Sequence, residues 1–265
     1  MNKKWSGGKI AAIICGCIVA GVVLFVTFYI SVFQIVRGFL ALGEKNNKYD
    51  YSNNSSLEYY EFHNEIRDDL SYQVRLENYE EEFGDNGNIS VKMSYPVVSG
   101  KDDLEAVNKV IQKELDEVRS YTQSVTEWLS VNERFKFEAE CYVTYMDEEV
   151  LSLAYIEYGY LNDEYYESYV ISVNIDMESK MLLTNSQLLD IDDKFSVDFR
   201  ERCEVQNGRI ESLAMYSDQE ITKLLTSDSN LIIFYTPLGM EVGFNYYYGW
   251  VTVTYQDYQD YQKQI

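Results

Sequence analysis

One histidine, two prolines and four cysteines in 265 residues remove several kinds of chemistry at the outset. The single histidine, His63, precedes the patterned part of the chain. With it go the usual general base, most zinc sites and any histidine-based triad. Two prolines argue against long Pro-rich spacers. No G-x-S-x-G elbow, Walker loop or dinucleotide fingerprint occurs, so no cofactor is expected. Two of the cysteines, Cys15 and Cys17, fall in an apolar run, which leaves Cys141 and Cys203. A pair outside the membrane is read either as one disulfide or as two buried thiols, and two cysteines do not make a disulfide scaffold. Free thiols are the expectation. Basic charge is scarce as well. After residue 37 the chain carries 18 basic and 44 acidic groups, a net charge of −26. Such a field repels nucleic acid and anionic surfaces and attracts cationic partners; an acid-rich, solubility-tuned exported surface has the same composition.

What the chain does have is one long apolar stretch. Residues 10–36 form 27 consecutive positions without a charge, preceded by Lys3, Lys4 and Lys9 and closed by Arg37. About 20 apolar residues cross a hydrocarbon core, so this run can span with some tilt. Lysines on the short side keep residues 1–9 in the cytoplasm and place the rest outside, in the cell membrane as a single pass. A cleaved signal peptide is the rival, with Ala41-Leu42-Gly43 as a small-x-small site, but its apolar region is normally about 7–15 residues long.

The remainder divides by pattern. Residues 37–87 read as a juxtamembrane stalk, opening on the polar EKNNKYDYSNNSS and ending on the acidic NYEEEFGDNGN. Within it Leu70, Tyr72, Val74 and Leu76 alternate as an added edge strand would. Residues 88–265 read as an extracellular domain. Ile89, Val91, Met93 and Tyr95 alternate as a strand; Asp102 stands at a helix N-cap position, and Leu104, Val107, Ile111, Leu115 and Val118 follow at helical spacing. Phe135 to Tyr145, Leu151 to Tyr155 and Tyr169 to Ile175 form a meander of alternating strands. Phe195, Phe199 and Cys203 mark one short helix, and Ile221, Leu224 and Leu225 another. Leu231–Tyr235, Glu241–Tyr246 and Trp250–Tyr255 return to strands. Strands, then helices, then strands predict an α+β fold, an antiparallel sheet with packed helices behind one transmembrane helix.

Candidate chemistry is sparse. Paired carboxylates acting on cell-wall polysaccharide need a defined separation that sequence does not supply, and solvated acidic loops explain the same residues. Asp190, Asp192 and Asp193 cluster, as do Asp85 and Asn86, but neither follows the calcium-loop spacing, and no metal is assigned. Glycosylation sequons begin at Asn53, Asn54 and Asn88. The candidate binding surface is C-terminal: Tyr246, Tyr247, Tyr248, Trp250, Tyr258 and Tyr261, with Tyr255, lie within 16 residues. Adjacent strand residues face opposite sides, so these cannot all be core, and exposed aromatics serve as binding platforms.

From Ile89 to Tyr261 the chain resembles the PdaC-type extracellular module. The matching residues are Tyr95-Pro96, Gly100, Asn108, the Leu151–Tyr158 strand, Tyr169 to Asp176, Lys180-Met181-Leu182-Leu183, Leu188-Leu189, and Phe234-Tyr235-Thr236 with Gly239, Phe244, Tyr247 and Gly249. That module precedes the catalytic domain in some peptidoglycan deacetylases of Gram-positive bacteria. It also forms the ectodomain of RsiV-type anti-sigma factors, one branch of which senses lysozyme. Where the family often has a Gly-Gly-Ala-His loop, this chain reads Tyr158-Gly159-Tyr160-Leu161-Asn162-Asp163, with no histidine. Nine residues before the apolar run are too few for the helical segment an anti-sigma domain needs. No deacetylase domain is expected beyond Ile265. The resemblance therefore implies the module alone on an anchor: a non-catalytic binding or sensor ectodomain for a cell-envelope component, such as a cell-wall glycan, or a cationic protein. The alternative is a polysaccharide-acting enzyme.

Overall fold

Alternation in the sequence becomes two sheets. The computed structural model describes residues 59–101, 103–247 and 249–262. The apolar run, the tail before it, Asp102 and Tyr248 lie outside these residues, and no helix among the described residues is long and apolar enough to cross a membrane. The first sheet has the order β1-β2-β3-β4-β5-β6, with β1 Tyr72–Phe83, β2 Ile89–Gly100, β3 Phe135–Met146, β4 Val150–Leu161, β5 Glu164–Asp176 and β6 Met181–Leu182. The second has β7 Leu231–Thr236, β8 Gly239–Tyr246 and β9 Gly249–Tyr255 in sequence order. The helices are α1 Glu105–Val125, the single turn α2 Asn185–Leu188, α3 Asp193–Asn207 and α4 Asp218–Leu225. The fold class is α+β.

One pairing departs from the expected antiparallel sheet. β2 and β3 run parallel from Ile89↔Phe135 to Met93↔Ala139. The order strand, amphipathic helix, strand is a crossover unit, which returns the chain in the same direction. α1 lies over the sheet with Val107, Ile111, Leu115, Val118 and Val125 buried. They meet Met93, Phe137, Cys141, Val143, Leu153 and Tyr155 in one core. A second core holds Phe195, Phe199, Cys203, Ile221 and Leu225 of α3 and α4 against Ile233, Met240, Val242, Phe244 and Val253. Between the sheets, Ala154, Ile156 and Val170 pack on Ile232 and Phe234. β4 is therefore buried on both faces, odd residues toward α1 and even residues toward the second sheet, as a period of two requires.

Carboxamides close the strand edges. Asn108 on α1 accepts from Val98 N at 2.9 Å and donates to Val98 O at 2.8 Å. Asn245 does the same to Val170, both at 2.8 Å. Gln206 does so to Thr254 at 2.8 and 2.9 Å, and Asn174 donates to Ile233 O at 2.7 Å. Each supplies hydrogen-bonding groups that a neighbouring strand would supply.

Residues 59–87 are part of the domain rather than stalk. The compact unit runs Glu58–Ile265. Tyr72 and Val74 of β1 are buried in the first core, as an edge strand on β2. Before β1 the chain crosses both sheets as a strap. Tyr60 N donates to Thr254 Oγ1 at 3.1 Å, and Phe62 packs on Phe234, Trp250 and Tyr142. Glu65 N donates to Val143 O at 2.7 Å, and Val143 N to Asn64 Oδ1 at 2.9 Å. The strap takes the edge of β3 beyond Ala139, where β2 has ceased to pair with it.

Candidate functional site

The C-terminal aromatics do not gather on one surface. Tyr246 lies half-buried against Tyr216 and Phe244 on the helix side of the second sheet. Trp250 lies on the other side, against Phe62. Tyr258 meets Tyr235 edge-on, and Tyr261 packs on Phe195 and Tyr255. Tyr247 is 88% exposed at the β8–β9 turn, and Tyr248 lies outside the described residues. Cys141 and Cys203 are buried free thiols, one in each core, and burial lifts the Cys203 thiol to about 11. Asp190 and Asp192 of the acidic cluster border an open cleft of about 370 Å³ with Asp198, Asp260 and Tyr261. Its acids hold structure: Asp192 Oδ1 caps α3 by accepting from Lys194 N and Phe195 N, and Asp198 is engaged by Arg202 and Tyr261.

A different face combines exposed aromatics with uncompensated carboxylates. It lies where the C-terminal half of α1 meets β4 and β5. Spacing of three and four puts Glu114, Glu117 and Tyr121 along one flank of α1, beside the buried stripe. Glu157 continues the α1-facing phase of Leu151, Leu153 and Tyr155, with Tyr169 opposite it on β5. Next along, Gly159 pairs with Glu167, where a Cβ would stand 2.9 Å from Glu167 Cγ, so glycine makes room for that carboxylate. The register then slips between Gly159 and Tyr160, leaving Tyr166 as the extra residue of a bulge. The bulge re-aims the Tyr166 ring onto Trp128, stacked at 6.1 Å and 29°, and edge-on to Phe135 at 6.2 Å. Tyr121 donates to Glu167 Oε1 and Tyr169 to Glu167 Oε2. Trp128 is 47% exposed and Tyr166 50%.

The electrostatics mark the same place. Burial, reinforced by Glu114, Glu167 and Glu117, lifts the Glu157 carboxyl to about 8. Burial and then Glu117 lift Glu114 to about 7, with Lys113 opposing. Among the described residues Lys113 forms an ion pair with Glu117, and no lysine or arginine forms one with Glu114, Glu157 or Glu167. Carboxyls that hold their protons for want of counter-charge, beside exposed rings, would release them to a cation that can also stack. The sequence carried two signals for it: Glu157 interrupts an apolar alternation, and Glu114 adjoins an apolar helical stripe.

No family model and no curated protein matches the chain. Two solved structures of DUF3298 family proteins are similar to it. One, from Bacteroides fragilis NCTC 9343, is 12% identical with a TM-score of 0.48, covering 74% of this chain and 95% of that one. The other, from Pseudomonas aeruginosa PAO1, is 10% identical with a TM-score of 0.43, covering 71% of this chain and 90% of that one.

Proposed function

We propose that this protein is a membrane-anchored, non-catalytic binding or sensor module displayed outside the cell. Its ligand is a cationic protein or a cationic component of the cell envelope, and it docks on the face formed by Trp128, Tyr166, Tyr169, Glu157 and Glu167. The observation that carries this reading is the carboxylate group lifted to about 7 and about 8 beside half-exposed aromatic rings. The apolar run, the lysines before it and the acidic field after it support the anchor and its orientation. The resemblance to the PdaC- and RsiV-type module of Gram-positive envelopes supports the setting.

Pull-down with the full chain in detergent, against envelope extract and against lysozyme as cationic probe, tests the reading. Wild type retains ligand at low salt and releases it at high salt. Trp128→Ala and Glu157→Gln each weaken retention by about tenfold, the size of one cation–π contact or one charge-assisted contact. Equal retention by wild type and both variants would sink the assignment of this face, and no retention at low salt would sink the binding role. Protease added to intact cells removes the domain if it is outside; protection there, lost on lysis, reverses the topology.

One observation favours the enzymatic alternative. Glu157, its carboxyl lifted to about 8, suits the proton-donor half of polysaccharide hydrolysis, with Glu167, which accepts from Tyr121 and Tyr169, as the second carboxyl beside it. Release of reducing ends from cell-wall polysaccharide, lost in Glu157→Gln, would establish it over the binding role.

A further inference from the structure

Glu241 is a buried carboxyl with no counter-ion among the described residues. It stands on β8 between Phe234 of β7 and Thr254 of β9, and it is 3% exposed. Its partners are hydroxyls, Thr254 and Thr252, with Thr254 Oγ1 donating to Glu241 Oε1. Over it lies the strap. Tyr60 N donates to the same Thr254 Oγ1 at 3.1 Å, and the Tyr60 and Phe62 rings pack on Phe234 at 5.8 and 5.6 Å. One hydroxyl thus joins the buried acid to the segment that covers it.

We propose that residues 59–65 are a pH-responsive strap, seated while Glu241 is neutral and lifted from the second sheet when Glu241 ionises.

A buried carboxylate without a cation must be hydrated or neutralised. Among the described residues no lysine or arginine pairs with it. The strap contributes Tyr60, Glu65 and His63, whose imidazole is held by Glu65. β3 contributes Tyr142, itself beside Glu140, and Phe234 of β7 is apolar. Tyr60 and Tyr142 are held neutral by burial across the physiological range. Within its own sheet the carboxyl is flanked by β7 and β9, so the strap is the removable cover. Burial lifts Glu241 to about 7, which places the transition at ordinary external pH.

Hydrogen exchange of the full chain in detergent micelles tests this. Protection is compared at pH 5.5 and 8.5 after correction for intrinsic rates. In wild type the peptide spanning 59–65 loses protection by about tenfold or more, since linkage allows up to about tenfold per pH unit above the midpoint. Peptides from β4 and β7 keep theirs. Glu241→Gln, which keeps the shape and hydrogen bonding without the charge, holds the strap equally protected at both pH values. His63→Gln leaves the wild-type transition in place. Unchanged wild-type protection would overturn the proposal, as would a transition surviving in Glu241→Gln or vanishing in His63→Gln. If Glu241→Gln does not fold, the wild-type and His63→Gln profiles still decide.

Discussion

Arg202 and Glu157 each sit where a helix meets a sheet, and their neighbours differ in kind. Arg202, on α3, donates to both oxygens of Asp257 at 2.8 and 2.7 Å and to Asp198 at 2.7 Å. Its guanidinium lies 4.5 Å from the Tyr255 ring centroid, with Tyr261 also near. Every charge there has a partner. Glu157, under α1, has Glu114, Glu117 and Glu167 for company and, among the described residues, no cation. Closed charge of the first sort holds architecture together. A carboxyl of the second sort keeps its proton, and costs stability when it loses it. The contrast sets a paired scaffold on the helix side of the second sheet against the proposed binding face on the helix side of the first.

The sharpest way to break that contrast is pH. The unfolded chain loses its carboxyl protons near 4.5, whereas the folded one holds them on Glu114 and Glu241 to about 7 and on Glu157 to about 8. Between those values the folded state binds more protons, so stability falls as pH rises. Below about pH 4 the sign reverses, because Asp257, Asp147 and Asp69 are held under the usual carboxylate range by Arg202, by Tyr145 and backbone N–H groups, and by Arg67. Urea unfolding should therefore be hardest near pH 5 and lose about 3 kcal/mol or more by pH 8. The double variant Glu114→Gln/Glu157→Gln should flatten most of that slope. A wild-type curve that is level or rising from pH 5 to 8 contradicts the picture.

Next in size is the seam between the halves. Asn245 is 2% exposed and satisfies both backbone groups of Val170. Asn245→Ala leaves a buried donor and acceptor open and should cost about 2–3 kcal/mol, measured as a lower urea midpoint at unchanged m-value. A broadened or two-step transition would show instead that the halves unfold separately. The smallest effect belongs to the closed charge. Arg202→Met should cost about 1–2 kcal/mol, because the cluster is partly solvated, and should leave the slope between pH 5 and 8 untouched. A changed slope in that window would mean the two halves share their electrostatics after all.

Elements with strong periodicity were readable from the chain alone. β3, β4, β5 and β7 to β9 follow their alternating residues closely, and the Phe195, Phe199 and Cys203 stripe lies buried in α3. Alternation also placed Tyr72 and Val74 on an edge strand, although the acidic surroundings of β1 made its neighbourhood look like stalk. The strap was invisible because it has no period: Tyr60, Phe62, Asn64 and Glu65 each meet the sheets through different contacts. The candidate face left only the isolated signals of Glu157 and Glu114, for a related reason. Trp128 lies in the turn after α1, Tyr166 on a bulge of β5, and Glu157 in the middle of β4, so none of them is a neighbour of another along the chain. Only the pairing of β4 with β5 beneath α1 brings them together.

The carboxamides along the strand edges bear on how copies of this protein behave when crowded. An open strand edge is a template onto which another chain can add, and repeated addition builds a fibre. Asn108, Asn245, Gln206 and Asn174 occupy such template positions with side chains too short to propagate a ladder. Those four stretches of β2, β5, β7 and β9 are thereby closed to strand addition by a neighbouring copy.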